Sequence, residues 1–157
     1  LYRRAIFAQL RYPEGKLNED LFLIPKICLQ IQKAVVVPKA LYYYVQRGSG
    51  IMNGSKTLCH FDAAEAAQRY WDCLVENEIY DALANAAKFT MGSVSRVYRQ
   101  LPPALRKAPR SREMLRMQFE VVDRTRRYCT VPGGLWLQSW LLWHFPQTYS
   151  RLRELKG

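Results

Sequence analysis

Ala34-Val35-Val36-Val37-Pro38-Lys39-Ala40-Leu41-Tyr42-Tyr43-Tyr44-Val45 is the stretch that decides between an all-helical and a mixed fold. Its β-branched and aromatic residues favour extended backbone. Pro38-Lys39-Ala40 divides it into two short strands, or one bent strand, over residues 34–37 and 41–45. Upstream, the turn signal Pro13-Glu14-Gly15 is followed by Asn18 and then Glu19-Asp20-Leu21-Phe22. A capping side chain, acids in the first turn and then apolar residues predict a helix over about residues 18–32. Pro25 lies inside it and lacks a backbone donor, which predicts a kink or a restart. Downstream, Gly48-Ser49-Gly50 and Asn53-Gly54 read as a loop.

After about His60 the periodicity becomes helical and stays so. Phe61, Ala64, Trp71, Leu74 and Val75 share one helix face, and Leu83, Ala86, Ala87, Val94, Val97 and Tyr98 share a second. Pro102-Pro103 ends that helix. A third is expected over Ser111 to Tyr128, then the breaker Pro132-Gly133-Gly134, an aromatic helix over Leu135 to Phe145, Pro146 and a short basic tail helix. The fold class expected is α+β, predominantly helical: two short strands in a front part, residues 1–56, and a helical C-terminal region, residues 57–157.

At 157 residues the chain has the size of one ordinary domain, and 49% hydrophobic residues suffice for a core. Eight Gly and eight Pro without a repeat exclude collagen-like and low-complexity chains. Leu135 to Phe145 falls short of the roughly 20 apolar residues a bilayer span needs. The chain opens on Leu1-Tyr2-Arg3-Arg4 without a methionine or a signal-peptide pattern, which reads as a start inside a longer polypeptide. Its net charge of +11 divides into +6 over residues 1–60, −2 over 61–100 and +7 over 101–157. Such an excess favours anions: nucleic acid, phosphorylated small molecules or an acidic lipid surface. Cys28, Cys59, Cys73 and Cys129 form no Cys-x-x-Cys pair and suit reduced thiols, hence a cytoplasmic setting.

Two strings in the front part carry a resemblance. Pro13-Glu14-Gly15-Lys16-Leu17-Asn18-Glu19-Asp20, followed by Pro38 to Val45 and Gln46-Arg47-Gly48-Ser49-Gly50-Ile51-Met52, resembles the second half of family 2 glycosyltransferases of the GT-A fold, the bacterial polysaccharide type. Leu1-Tyr2-Arg3-Arg4-Ala5-Ile6-Phe7 resembles the segment those enzymes carry just upstream. The family pattern has one Gly before Ser-Ile-Met where this chain has Gly48-Ser49-Gly50-Ile51-Met52.

The resemblance implies that residues 1–56 are the acceptor-side end of a GT-A catalytic domain whose strands extend a sheet outside this chain. It implies an inverting transfer from a nucleotide-sugar to a hydroxyl acceptor in bacterial surface polysaccharide or glycan synthesis. Asp20 would be the base that takes the acceptor's proton, Glu19 would orient the acceptor, and Arg47 with Ser49 would meet the leaving diphosphate. The chemistry suits the positions: a carboxylate at a helix N-terminus stays ionised, and an arginine fork matches phosphate oxygens. Family members hold the nucleotide and a divalent metal, Mg or Mn, through an Asp-x-Asp motif in an N-terminal donor-binding half. No Asp-x-Asp occurs here, so the metal and nucleotide-sugar would be held by the parent outside this chain, and the fragment would be inactive alone. The implied partners are that missing half and a glycan or lipid-linked acceptor, and the implied location is the cytoplasm, with contact at the inner face of the membrane.

Other readings compete. Arg110, Arg112, Arg116, Arg124, Arg126 and Arg127 could form a non-catalytic basic helical module for nucleic acid. Glu120, four residues from Arg116 and Arg124, and Asp123, four from Arg127, favour a locally paired, solvated face instead. Trp136, Trp140 and Trp143 near Arg151, Arg153 and Lys156 fit an anionic membrane surface, or else a core helix or a homo-oligomer contact. Cys59-His60 with Cys73 fits no zinc spacing, so His60 reads as a helix-capping side chain and Cys73 as a packed one. His144, between Trp143 and Phe145, reads as a packed or interface histidine.

Overall fold

A computed structural model describes residues 2–45 and 54–155. The helices are α1 (Glu19–Gln30), α2 (Asp62–Glu76), α3 (Leu83–Gln100), α4 (Pro103–Arg106), α5 (Pro109–Thr125), α6 (Gly133–His144) and α7 (Pro146–Glu154). They pack largely in chain order: α2 on α3, α3 on α5, α5 on α6 and α6 on α7, with α1 leaning on α2. Short connections between consecutive apolar-faced helices make each return along its neighbour.

The helical periodicity downstream of His60 becomes the core. Phe61, Ala64, Trp71, Leu74, Leu83, Ala86, Ala87, Val94, Val97 and Tyr98 are all buried. The third expected helix runs over Pro109–Thr125 and buries Met114, Leu115, Val121 and Val122, with Phe119 half-buried. Proline at the first position of α4, α5 and α7 fits the helix start, where no partner exists for the missing N–H.

Polar locks fix the register between helices. Trp71 Nε1 donates to Thr125 Oγ1 at 2.8 Å, joining α2 to α5. Gln118 Nε2 donates to the Ser139 carbonyl at 3.0 Å, and Ser139 Oγ returns a bond to Gln118 Oε1 at 2.8 Å, joining α5 to α6. Buried polar groups are costly when unpaired, so these reciprocal bonds disfavour a shifted α5–α6 packing.

No strand forms among the described residues, and the expected α+β class with two strands of a GT-A sheet is corrected to a helical fold. Residues 34–45 are irregular and exposed: Val36 keeps 90% and Tyr43 94% of its surface. The physical reason is that β-propensity needs a neighbouring strand to accept its backbone bonds, and the described residues offer none. Lys39 N–H instead donates to the Val37 carbonyl at 2.9 Å, a local turn across Pro38. The tyrosines expected to pack a strand are exposed, with the rings of Tyr42 and Tyr44 6.4 Å apart.

The start of α1 also differs from expectation. Asn18 precedes the helix in the left-handed region, φ 56°, and its side chain makes no capping bond. Asparagine serves here because it tolerates that conformation. Gly15, with φ 70°, supplies the same freedom to the Pro13-Glu14-Gly15 turn. The helix then runs through Pro25 as one element.

Candidate functional site

The first turn of α1 carries Glu19 and Asp20, and both side chains are exposed. The acids lie at the exposed start of the helix, about a turn or more before the buried Leu23 and Ile27. Arg47 and Ser49, the expected phosphate-side pair, lie outside the described residues.

What holds this turn in place is a charge cluster that the sequence did not advertise. Lys16 Nζ lies 2.9 Å from Glu65 and 3.3 Å from Asp62. The Leu17 N–H donates to Asp62 Oδ2 at 3.0 Å. Arg110, at the start of α5, reaches the same Glu65 oxygen at 2.9 Å, and Arg69 reaches its other oxygen at 3.0 Å. Asp62 and Glu65 occupy the first turn of α2, where carboxylates are favoured by the helix dipole. The residues leading into α1 are thereby tied to the starts of α2 and α5.

The cluster shifts its own protonation. Burial pushes the Glu65 carboxyl up, but hydrogen bonds from Lys16, Arg110 and Arg69 outweigh it and hold the pKa below the usual carboxylate value. The bond to Glu65 chiefly raises Lys16 above its ordinary value, with Asp62 adding to it against partial burial. A depressed carboxylate stabilises the fold above its unfolded pKa, about 4.3 for Glu, and that contribution is lost as pH falls through the folded value. A raised lysine stabilises below its unfolded pKa of about 10.4, and the contribution is lost as pH climbs through the folded value. Unfolding by urea at a series of pH values is therefore expected to show these two losses at the acid and alkaline ends. Glu65→Gln is expected to cost about 1–3 kcal/mol at neutral pH, by removing the charge and one of the two acceptor oxygens that Lys16, Arg69 and Arg110 share, and to flatten the acid limb.

Several residues of the competing readings have partners within the chain. Arg116 pairs with Glu120 at 3.5 Å, and Arg124 lies 4.8 Å from the centre of the Trp71 ring. Asp123 pairs with Arg126 at 3.3 Å, not with Arg127, and also accepts from Trp136 Nε1 at 3.0 Å. Trp136 and Trp143 pack against the core, whereas His144 is exposed, its ring 4.9 Å from that of Trp140. His60 Nδ1 accepts the Thr57 N–H at 3.1 Å, a capping role. Among the described residues no three of His, Cys, Asp and Glu converge as metal ligands, and no helix is long and apolar enough to cross a membrane.

Sequence reasoning located the acidic turn and missed Lys16, Asp62, Glu65 and Arg110. The available signal was two acids in one first turn, Asp62 and Glu65, opposite a chain rich in cations. Arg69 lies only four positions from Glu65, but Lys16 and Arg110 lie more than forty positions away and leave no local pattern.

No protein-family model matches the chain, and no solved structure matches it. Over 50 residues, 31% of the chain, the sequence is 42% identical to the glycosyltransferase GlyA of Streptococcus pneumoniae serotype 4. That stretch is 7% of the length of GlyA, so this chain spans a small part of its relative. Over those residues the chain is related to a glycosyltransferase.

Proposed function

We propose that this chain is the acceptor-side segment of a glycosyltransferase of the family 2 type, transferring a sugar from a nucleotide-sugar with inversion to a hydroxyl of a glycan or lipid-linked acceptor. The observation that carries the reading is the 42% identity over 50 residues to a glycosyltransferase. The outward-facing Asp20 on a tethered helix start supports it.

In this reading Asp20 accepts the acceptor hydroxyl's proton as the new glycosidic bond forms and the diphosphate departs with its electron pair. An aspartate is a weak base in the ground state, and it becomes an adequate one as the hydroxyl acidifies in the transition state. Glu19 orients the acceptor, and Arg47 with Ser49 neutralises the leaving phosphates. The described residues supply no ligand set for a divalent metal, and the sequence has no Asp-x-Asp. The metal and nucleotide therefore belong to further polypeptide of the same protein, for which the exposed Val35–Val37 and Leu41–Val45 side chains are a contact surface. Work at the cytoplasmic face of a membrane suits a lipid-linked acceptor.

The test uses the complete polypeptide supplied with nucleotide-sugars. Arg47→Ala is expected to lower kcat for nucleoside diphosphate release by about 10²-fold, with an unchanged circular dichroism spectrum. Full activity in that variant, or no sugar transfer from any donor by the unmodified protein, would overturn the assignment.

A further inference from the structure

Between α1, α2 and α3 lies an apolar groove of about 400 Å³, lined by Leu21, Ile24, Cys28, Tyr70, Ile79 and Phe89 among others. This is within the range of a small-molecule site, roughly 300–1,000 Å³. Ile24, Leu29, Ile79 and Phe89 leave a third to a half of their surface exposed along it. Phe89 also borders a second depression on the outer face of α3, formed with Asn85, Lys88, Gly92, Ser93 and Arg96. The apolar trough and this depression thus meet at one ring.

The depression has a basic character. Lys88, Gly92 and Arg96 recur at intervals of four and therefore share one helix face. No Asp or Glu occurs between Asp81 and Glu113, and neither Lys88 nor Arg96 is in an ion pair with a described residue. Gly92 is what opens it. Glycine inside a helix is less favourable than alanine, yet a Cβ at Gly92 would meet nothing within 4 Å. Close packing does not require this glycine, and its effect is to leave room between two uncommitted cations.

From this juxtaposition we infer that the groove and depression form one binding site for a single-chain amphiphile with a phosphate headgroup, its alkyl chain lying against Leu21, Ile24 and Tyr70 and its phosphate between Lys88 and Arg96. Charge complementarity selects the anionic headgroup, and the largely apolar trough on one side of Phe89 selects the chain. A free phosphate would leave the apolar lining unused. The inference does not rest on the glycosyltransferase reading, since binding is measured without any transfer.

The test exploits the cysteines. Cys28 and Cys73 line the groove, whereas the exposed Cys59 does not and serves as an internal reference. The 157-residue chain is alkylated in the presence of dodecyl phosphate, dodecyl maltoside or inorganic phosphate, each below its micelle-forming concentration where it has one, and labelling is read by peptide mass spectrometry. The expected result is that dodecyl phosphate slows labelling of Cys28 at least tenfold relative to Cys59, saturably, and that the other two do not. Gly92→Glu, which places a carboxylate between the cations, is expected to abolish this protection, whereas Gly92→Ala retains a melting temperature at or above the parent. Equal protection by the maltoside, protection that survives Gly92→Glu, or no protection at all would overturn the proposal. So would Cys28 already shielded without ligand in the complete polypeptide, which would assign the groove to a protein neighbour.

Discussion

Asp20→Asn in the complete polypeptide is expected to lower kcat for sugar transfer by about 10²–10⁴-fold, the usual worth of a positioned base, with little change in the KM for the nucleotide-sugar. Asparagine keeps the shape and hydrogen-bonding reach of the side chain and removes only its capacity to take a proton. Asp20 is exposed and makes no ion pair with a described residue, so the fold does not depend on its charge. A carboxylate placed there solely for the helix dipole would behave differently: its neutralisation would trim local helix stability and leave turnover intact. Glu19→Gln separates the two roles, since adjacent helical residues point in different directions and an orienting group affects acceptor KM more than kcat. Measured side by side, the two variants should differ by at least tenfold in kcat.

The second large effect is structural. Trp71→Ala is expected to destabilise the chain by about 3–5 kcal/mol, read as a lowered urea midpoint at constant slope. The Trp71 side chain is fully buried, with Tyr128 edge-on at 6.2 Å and the Arg124 guanidinium over one face. Its Nε1–H bonds Thr125 across the α2–α5 contact. Thr125 Oγ1 also donates to the Val121 carbonyl at 2.7 Å, so the truncation orphans no donor, and the loss comes from the cavity and the missing contacts. Trp71→Phe keeps most of the ring volume and forgoes the bond, and is expected to cost about half as much or less. A change below about 1 kcal/mol for the alanine variant would mean that the helices do not pack around this residue.

How far a single sequence carried the structure differed from segment to segment. Helices α2, α3 and α5 were legible because an amphipathic helix announces itself through intervals of three and four, and α6, apolar all round, because Pro132-Gly133-Gly134 and Pro146 bound it. Residues 34–45 were misread for the converse reason. Valines and tyrosines report what the backbone would favour given a neighbour, and among the described residues no neighbouring strand exists to complete the ladder. Asn18 was misassigned because the same residue serves as a cap or as a left-handed turn residue, a choice made by the approach of residues 16–17 to α2. That approach is set by Glu65 receiving Lys16, Arg69 and Arg110 at once, a convergence that only the tertiary structure creates. The acidic turn itself could be found from local sequence, whereas its anchoring could not.

The central chemical claim is a single displacement in which Asp20 deprotonates the acceptor. It is tested most directly by the anomeric configuration of the first-formed product, followed by proton NMR as the complete polypeptide consumes a nucleotide-sugar of known configuration. The result expected is a product of the opposite configuration to the donor from the earliest time point, with that signal lost in Asp20→Asn. A product that retains the donor's configuration, or an inverted product formed undiminished by the Asp20→Asn protein, would contradict it.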